Sequence, residues 1–201
     1  MDRSDLLARL RASAAQLPRV PHPGAFPVEP EESLEQLFVE RMAELAGDQQ
    51  VVLVADRATL VDALRELLAG VDAAEILWEG EDCPPRHHAA GVARGVAALA
   101  ASATVVMDPG DPVKARASLL VDHSILVVPR ERILADVLAL ASSPEAAARS
   151  GYMVHVSGAS RTADIEKILV SPAHGPARLT VVLAPAAAGF PTREEITGGD
   201  T

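Results

Sequence analysis

At 201 residues the chain has the length of one domain, or of one domain with an attached segment. Hydrophobic residues make up 49% and aromatics only 2%, so the core must be built from Ala, Val, Leu and Ile around Trp78, the single tryptophan. The formal charge of -10 argues against a general nucleic-acid binder, which needs a basic footprint. The lone cysteine, Cys83, excludes an internal disulfide and cannot supply the four thiolates of an iron–sulfur cluster. No apolar run approaches a membrane span, and Met1-Asp2-Arg3 begins no signal peptide, so a cytoplasmic protein without membrane contact is expected.

Residues 4 to 17 place Leu6, Leu10, Ala14 and Leu17 at helical spacing, which predicts an amphipathic first helix. Pro18, Pro21, Pro23, Pro27 and Pro30 make the following stretch a stiff connector. A second helix is expected from Glu31 to about Ala46, with Leu34, Leu37, Phe38, Met42 and Leu45 on one side. Residues 1–46 therefore read as a helical N-terminal segment that packs on its own domain or reaches a partner.

From Gln50 the pattern becomes βα alternation, and residues 47–184 read as one α/β domain. Val51 to Val54 is a continuous apolar run, as expected of a strand covered on both faces. Asp56 or Thr59 starts a helix that turns Leu60, Val61, Leu64, Leu67 and Leu68 inward and ends at Gly70. Glu75 to Trp78 is the next strand, followed by a loop whose His87-His88 pair reads as surface histidines. Gly91 to Met107 holds a pair of strands that add an antiparallel element. The turn cluster at Asp108–Pro112 leads past His123 to a strand at Ile125–Val128. A helix is expected over Arg130–Ala141, with Ile133, Leu134, Val137, Leu138 and Ala141 inward, and a fresh cap at Ser143-Pro144-Glu145 before Ala146–Arg149. From Arg86 to Arg130 five Arg or Lys face three Asp, so this window is net +2 against -12 for the remainder. It is either a solvated face or a local positive field for an anionic ligand.

Polar chemistry concentrates between Tyr152 and Leu183. Met153 to Val156 reads as a buried strand ended by Ser157-Gly158, and Leu179 to Leu183 as another. Between them Thr162 can cap a helix beginning at Ala163, with Asp164 and Glu166 in its first turns. The chain then breaks at Ser171-Pro172 and presents His174-Gly175-Pro176. Residues 185–201 read as a flexible tail. The expected fold is an open, largely parallel sheet with helices on both faces, plus the helical N-terminal segment. Neither a dinucleotide-binding G-x-G-x-x-G, nor a phosphate-loop motif, nor a G-x-S-x-G elbow is present.

Ser157-Gly158, Ser160, Thr162-Ala163-Asp164-Ile165-Glu166, Leu169 and His174-Gly175-Pro176 resemble the C-terminal signature of the LutC/YkgG lactate-utilisation proteins, the LUD-domain family. The resemblance covers about the last half of the chain and hardly touches the first fifty residues. It implies the fold shared by glucosamine-phosphate isomerases, ribose-phosphate isomerases and CoA transferases. It also implies work beside iron–sulfur partner subunits that convert L-lactate to pyruvate. Where the family usually carries Glu-Thr-Gly-Thr, this chain has Ala101-Ser102-Ala103-Thr104: the carboxylate and the glycine are gone and two hydroxyls remain.

Three functions follow as alternatives. The chain is an accessory or anion-binding subunit of a lactate-oxidising system, with no flavin and no cluster of its own. Or it is an enzyme acting on an anionic metabolite, with His174 as acid or base. Or it holds a metal through His155, Asp164, Glu166 and His174, the weakest of the three. The expected ligand-binding residues are Ser157, Gly158, Ser160, Arg161, Thr162 and Asp164, joined by Arg116 and Thr104. A strand end delivers this loop, Gly158 lets backbone approach a ligand, the hydroxyls donate, and Arg161 offers a bidentate grip on a carboxylate or phosphate.

Overall fold

The structure is a computed structural model that describes residues 4–5, 33–81, 84, 86–108, 110, 115–143, 152–159, 162–163, 169–170 and 175–198. In chain order its elements are α1 (Leu34–Glu44), β1 (Asp48–Leu53), α2 (Arg57–Leu67), β2 (Ile76–Trp78) and β3 (His88–Arg94). Then come β4 (Ala97–Leu99), β5 (Thr104–Met107), α3 (Arg116–Leu119), β6 (Val121–Pro129), β7 (Ile133–Leu134) and α4 (Val137–Ser142). The last are β8 (Val154–Val156), β9 (Thr162–Ala163), β10 (Leu169–Val170), β11 (Arg178–Ala184) and α5 (Arg193–Thr197).

Five strands pair in the order β1-β11-β6-β3-β2, every neighbour parallel. Burial on both faces explains the apolar runs of the inner strands, whereas in the edge strand β1 Leu53 is 52% exposed. Along β6, Ile125 and Val127 pack with Leu60, Leu64 and Trp78, while Leu126 and Val128 pack with Val105 and Met107 on the other side. α2 and α5 cover the first face. The second face is covered by a smaller mixed sheet, β7-β4-β5-β8, together with α1 and α3. α2 starts where the sequence places it. The Asp56 carboxylate accepts from Thr59 N–H at 2.9 Å, and the Thr59 hydroxyl accepts from Asp56 N–H at 3.0 Å. That exchange holds the Asp56 carboxyl below its usual range, the Thr59 amide being the main cause.

The chain leaves the parallel sheet at Gly95, whose N–H still donates to Val127 O at 2.9 Å. A Cβ at this position would lie 2.6 Å from Val128 Cγ2 and 2.7 Å from Val105 Cγ1, so glycine is what lets the two sheets approach. α1 packs on its own domain: Phe38 and Met42 are buried against Ala100 and Ala103, and Arg130 grips Glu35 through two bonds of 2.6 and 2.8 Å. Burying those two side chains contributes about 2 kcal/mol each.

Several elements differ from the sequence expectation. The continuous helix over Arg130–Ala141 is broken into a 3₁₀ turn, β7 and α4. Ile133–Leu134 is drawn into pairing with Ala98–Leu99, and the Asp136 carboxylate then caps a new helix through the N–H groups of Leu138 and Ala139. Val137 and Leu138, expected inward, are 54% and 42% exposed, and Leu140 is buried instead. Residues 193–197, assigned to the flexible tail, form α5, capped by Thr192 and joined to α2 by Arg57 bonded to both oxygens of Glu195 at 2.8 Å. His88, read as a surface residue, is buried with neither ring nitrogen hydrogen-bonded among the described residues, its Nδ1 standing 3.8 Å from Glu75, and burial lowers its pKa. β8 is a half-buried edge strand antiparallel to β5, not a core strand of the large sheet.

Ala163, expected to begin a helix, lies in a strand instead. Ala163 pairs with Leu169, and Thr162 with Val170, in an antiparallel ladder. A helix would hold residues 163 and 169 about 9 Å apart along its axis, whereas ladder partners lie about 5 Å apart. Thr162 is therefore not a helix cap. The first helix over residues 4–17 and the helix over Ala146–Arg149 lie outside the described residues, save for Ser4 and Asp5.

Candidate functional site

The C-terminal signature opens onto a cleft of about 500 Å³. One wall is the end of β8 and the chain after it, Val154 to Ala159. The others are Leu45-Ala46, Ser118-Leu119 and Gly175-Pro176. These three pairs stand just ahead of β1, β6 and β11, so the cleft lies at the amino ends of the parallel strands.

A chain of hydroxyls enters this wall from the β4–β5 turn. Thr104 Oγ1 lies 2.6 Å from Ser157 Oγ and 2.8 Å from Ser102 Oγ. Thr104 is 5% exposed, Ser157 exposed. A buried threonine thus orients a hydroxyl at the cleft surface. The pairing follows from register, because Val105 lies opposite Val156 and places residues 104 and 157 side by side at the ladder's end. Sequence reasoning placed both residues in the site without seeing that they touch.

Gly158 adopts φ +81, a conformation that glycine takes without steric cost. A Cβ there would also lie 3.2 Å from Leu45 Cδ1. Beside it stands Gln49, which the sequence reading did not single out. Its Nε2 donates to Leu45 O and Met42 O at the end of α1, leaving Oε1 buried and unpartnered among the described residues. Only its adjacency to an apolar strand marked it in the sequence.

The turn that replaces the family's Glu-Thr-Gly is structurally informative. Ala101 is exposed and donates its N–H to Ala135 O at 2.9 Å, so a methyl stands where the resemblance implies a carboxylate. Ala103 sits at φ 47, ψ 43, left-handed and fully buried. Glycine fits that backbone freely, whereas alanine carries a cost of about 1 kcal/mol. The alanine therefore holds a glycine's conformation under load.

The remaining expected residues divide into two groups. Arg116 opens α3, whose Ser118 and Leu119 line the cleft, but it does not itself line it. Thr162 is described by its backbone pairing alone. Ser160, Arg161, Asp164 and His174 lie outside the described residues, as does Glu166. His155 is exposed on the cleft wall, and no group of three metal-ligating side chains occurs among the described residues. Two of the five cations in the window are held in ion pairs among the described residues. Arg86 pairs with Glu75 at 2.9 Å and Arg130 with Glu35, while Arg94 lies at the opposite end of the sheet. Lys114 is outside the described residues.

On the far face of the amino ends, a second cleft of about 540 Å³ holds His123, Arg178, Asp48, Gln50 and Glu66. His123 Nε2 meets Thr180 Oγ1 at 2.8 Å, and Gln50 Nε2 donates to the same hydroxyl at 3.1 Å. Burial, with the Arg178 charge as a second cause, pushes the His123 pKa down to about 4 against a weaker pull from Asp48.

A family model described as a LUD domain matches residues 88–184, the stretch from β3 to β11 that carries both Thr104 and Ser157. No curated protein matches the chain. Among solved structures it is similar to a DUF162 family protein from Deinococcus radiodurans, at 20% identity and a TM-score of 0.51. The similarity covers 75% of this chain and 96% of that one, and at such identity it speaks for the fold. Among the described residues no helix is long and apolar enough to cross a membrane.

Proposed function

We propose that this chain, a LUD-domain protein related to lactate utilisation, acts as an accessory subunit that binds a small carboxylate beside iron–sulfur partner proteins. The contact that carries the reading is the 2.6 Å bond between Thr104 and Ser157. It joins the two stretches that resemble the family and presents an oriented hydroxyl to a cleft. A carboxylate or hydroxy acid in that cleft would accept from Ser157 and from the backbone beside Gly158, with Arg161 as the bidentate cation. The accessory role rests on two features of the sequence. One cysteine cannot ligate a cluster, so electron carriers must lie on partners. And Ala101 supplies no acid or base where the family has glutamate, which disfavours a stand-alone catalyst built on His174.

The test is a calorimetric titration with L-lactate, pyruvate and a sugar phosphate. The carboxylates should bind and the sugar phosphate should not. Arg161→Ala and Ser157→Ala should each weaken carboxylate binding by about tenfold or more, the value of one charge-assisted or well-placed hydrogen bond. Both should leave the melting temperature nearly unchanged, as expected of side chains that serve the ligand and not the fold. Undiminished affinity in both variants would place the ligand elsewhere.

A further inference from the structure

The carboxyl ends of β3, β6 and β11 form a third concavity, of about 180 Å³, at the opposite end of the sheet from Ser157 and Gly158. Its floor is apolar, with Val127, Val128 and Ala184 nearly inaccessible to solvent. Its rim carries one cation, Arg94, whose guanidinium carbon stands 4.9 Å from the centre of the Phe190 ring. Phe190 is held from behind: its ring lies 5.7 Å from that of Trp78, tilted by 51°, and Trp78 is 4% exposed within the core. The arginine is thus supported by a stack rooted in the hydrophobic interior.

No carboxylate pairs with the Arg94 side chain among the described residues. The two nearby acids are turned to backbone: Glu79 accepts from Arg94 N–H, and Glu131 accepts from Ala186 N–H at 2.9 Å. The guanidinium keeps its donor fork for a ligand. In open parallel sheets, ligands settle outside the carboxyl ends of the strands, where these groups lie.

We propose that this pocket binds a small monocarboxylate with an apolar tail, its carboxylate on Arg94 and its tail over Val127, Val128 and Ala184. A single cation matches a monoanion, and Arg forms two parallel bonds to a carboxylate. A phosphate dianion would keep one charge without a cation, since Arg94 is the one charged side chain among the described residues that line the pocket. A cavity of about 150 Å³ holds benzene, so the volume suits acids of about four to seven carbons. The apolar floor offers nothing to a 2-hydroxyl group, which separates this ligand class from lactate and makes the pocket independent of the reading above.

Trp78 is the only tryptophan, and it touches Phe190, so its fluorescence reports on the pocket. The full chain is titrated with butyrate, 1-butanol and inorganic phosphate, following Trp78 emission and heat. Butyrate should saturate and shift the emission, and 1-butanol should bind at least about tenfold more weakly, the value of a charge-assisted pair. Phosphate should not displace butyrate. Arg94→Leu should lower butyrate affinity by about tenfold or more with its circular dichroism unchanged. Arg86→Leu, which removes an arginine already paired with Glu75, should bind butyrate like the parent. The proposal is overturned if the folded parent shows no saturable butyrate binding. Equal affinity for butyrate and 1-butanol, displacement by phosphate, or an Arg94→Leu variant that binds as the parent does would each overturn it as well.

Discussion

The two ends of the parallel sheet are built on different chemistry. At the amino ends, polar groups hold one another: Thr104 with Ser157 and Ser102 on one face, His123 with Thr180 and Gln50 on the other, Arg178 with Asp48 at 2.9 Å. At the carboxyl ends the walls are apolar, and one arginine stands on an aromatic stack with no carboxylate paired to it among the described residues. A hydroxyl network can be recognised from a run of Ser and Thr, because each member announces its chemistry. An isolated arginine on a phenylalanine 96 positions away cannot, because only the sheet brings them together.

The ends also differ in how tightly glycine is required, and the largest predicted effect tests that difference. A Cβ on Gly91 would stand 1.8 Å from Ala117 O, the backbone carbonyl just before the cleft residues Ser118 and Leu119. Backbone cannot rotate aside, so Gly91→Ala should cost roughly 3 kcal/mol or more and lower the melting temperature by about 6 °C or more. At Gly95 the obstacles are the methyls of Val128 and Val105, which can repack, so Gly95→Ala should cost about 1–3 kcal/mol. Thermal melts decide it, and a smaller loss at position 91 than at position 95 would reverse the ranking.

Next in size is the acid response of the amino end. His123 has a folded pKa of about 4 against an ordinary 6.5, so the unfolded chain binds the proton first. The stability contributed by its neutral form is therefore complete above pH 6.5 and lost as pH falls from there to about 4. The full difference is roughly 3 kcal/mol. Denaturant melts across this window should show that loss in the parent and a flatter profile in His123→Gln. An unchanged profile in the variant would mean that the slope belongs to another group, with buried His88 the first to examine.

The smallest effect separates the orienting hydroxyl from the presenting one. Thr104→Val keeps shape and removes the bond to Ser157, which should cost about 1–2 kcal/mol because the threonine is buried. Ser157→Ala, at an exposed position, should cost under about 0.5 kcal/mol. Both should weaken carboxylate binding in the cleft while leaving butyrate binding at Arg94 intact. Equal stability losses would show that Thr104 does no more than Ser157.

Much of this molecule was set by local sequence. The runs Val51–Val54 and Ile125–Val128 are apolar at every position and Leu179–Leu183 at all but Thr180, the pattern of strands in a parallel sheet whose faces are covered. Asp56 with Thr59 fixes the start of α2, since a cap is a contact between near neighbours. Ser157 and Thr104 were singled out by their type and by the motifs around them, whereas their contact came from the pairing of β5 with β8. Only the tertiary structure decided which sheet each strand joins. The exit at Gly95 carries β4 and β5 into a second layer, and β7 forms there only because β4 offers it a partner, at the expense of the helix expected over 130–141. It likewise drew Arg86 and Arg130 of the cationic window into ion pairs with Glu75 and Glu35, and made Ala103 hold a glycine's dihedrals. Each of these outcomes depends on residues far apart in the chain, and local propensity has no means of encoding a partner that only the packed sheets bring within reach.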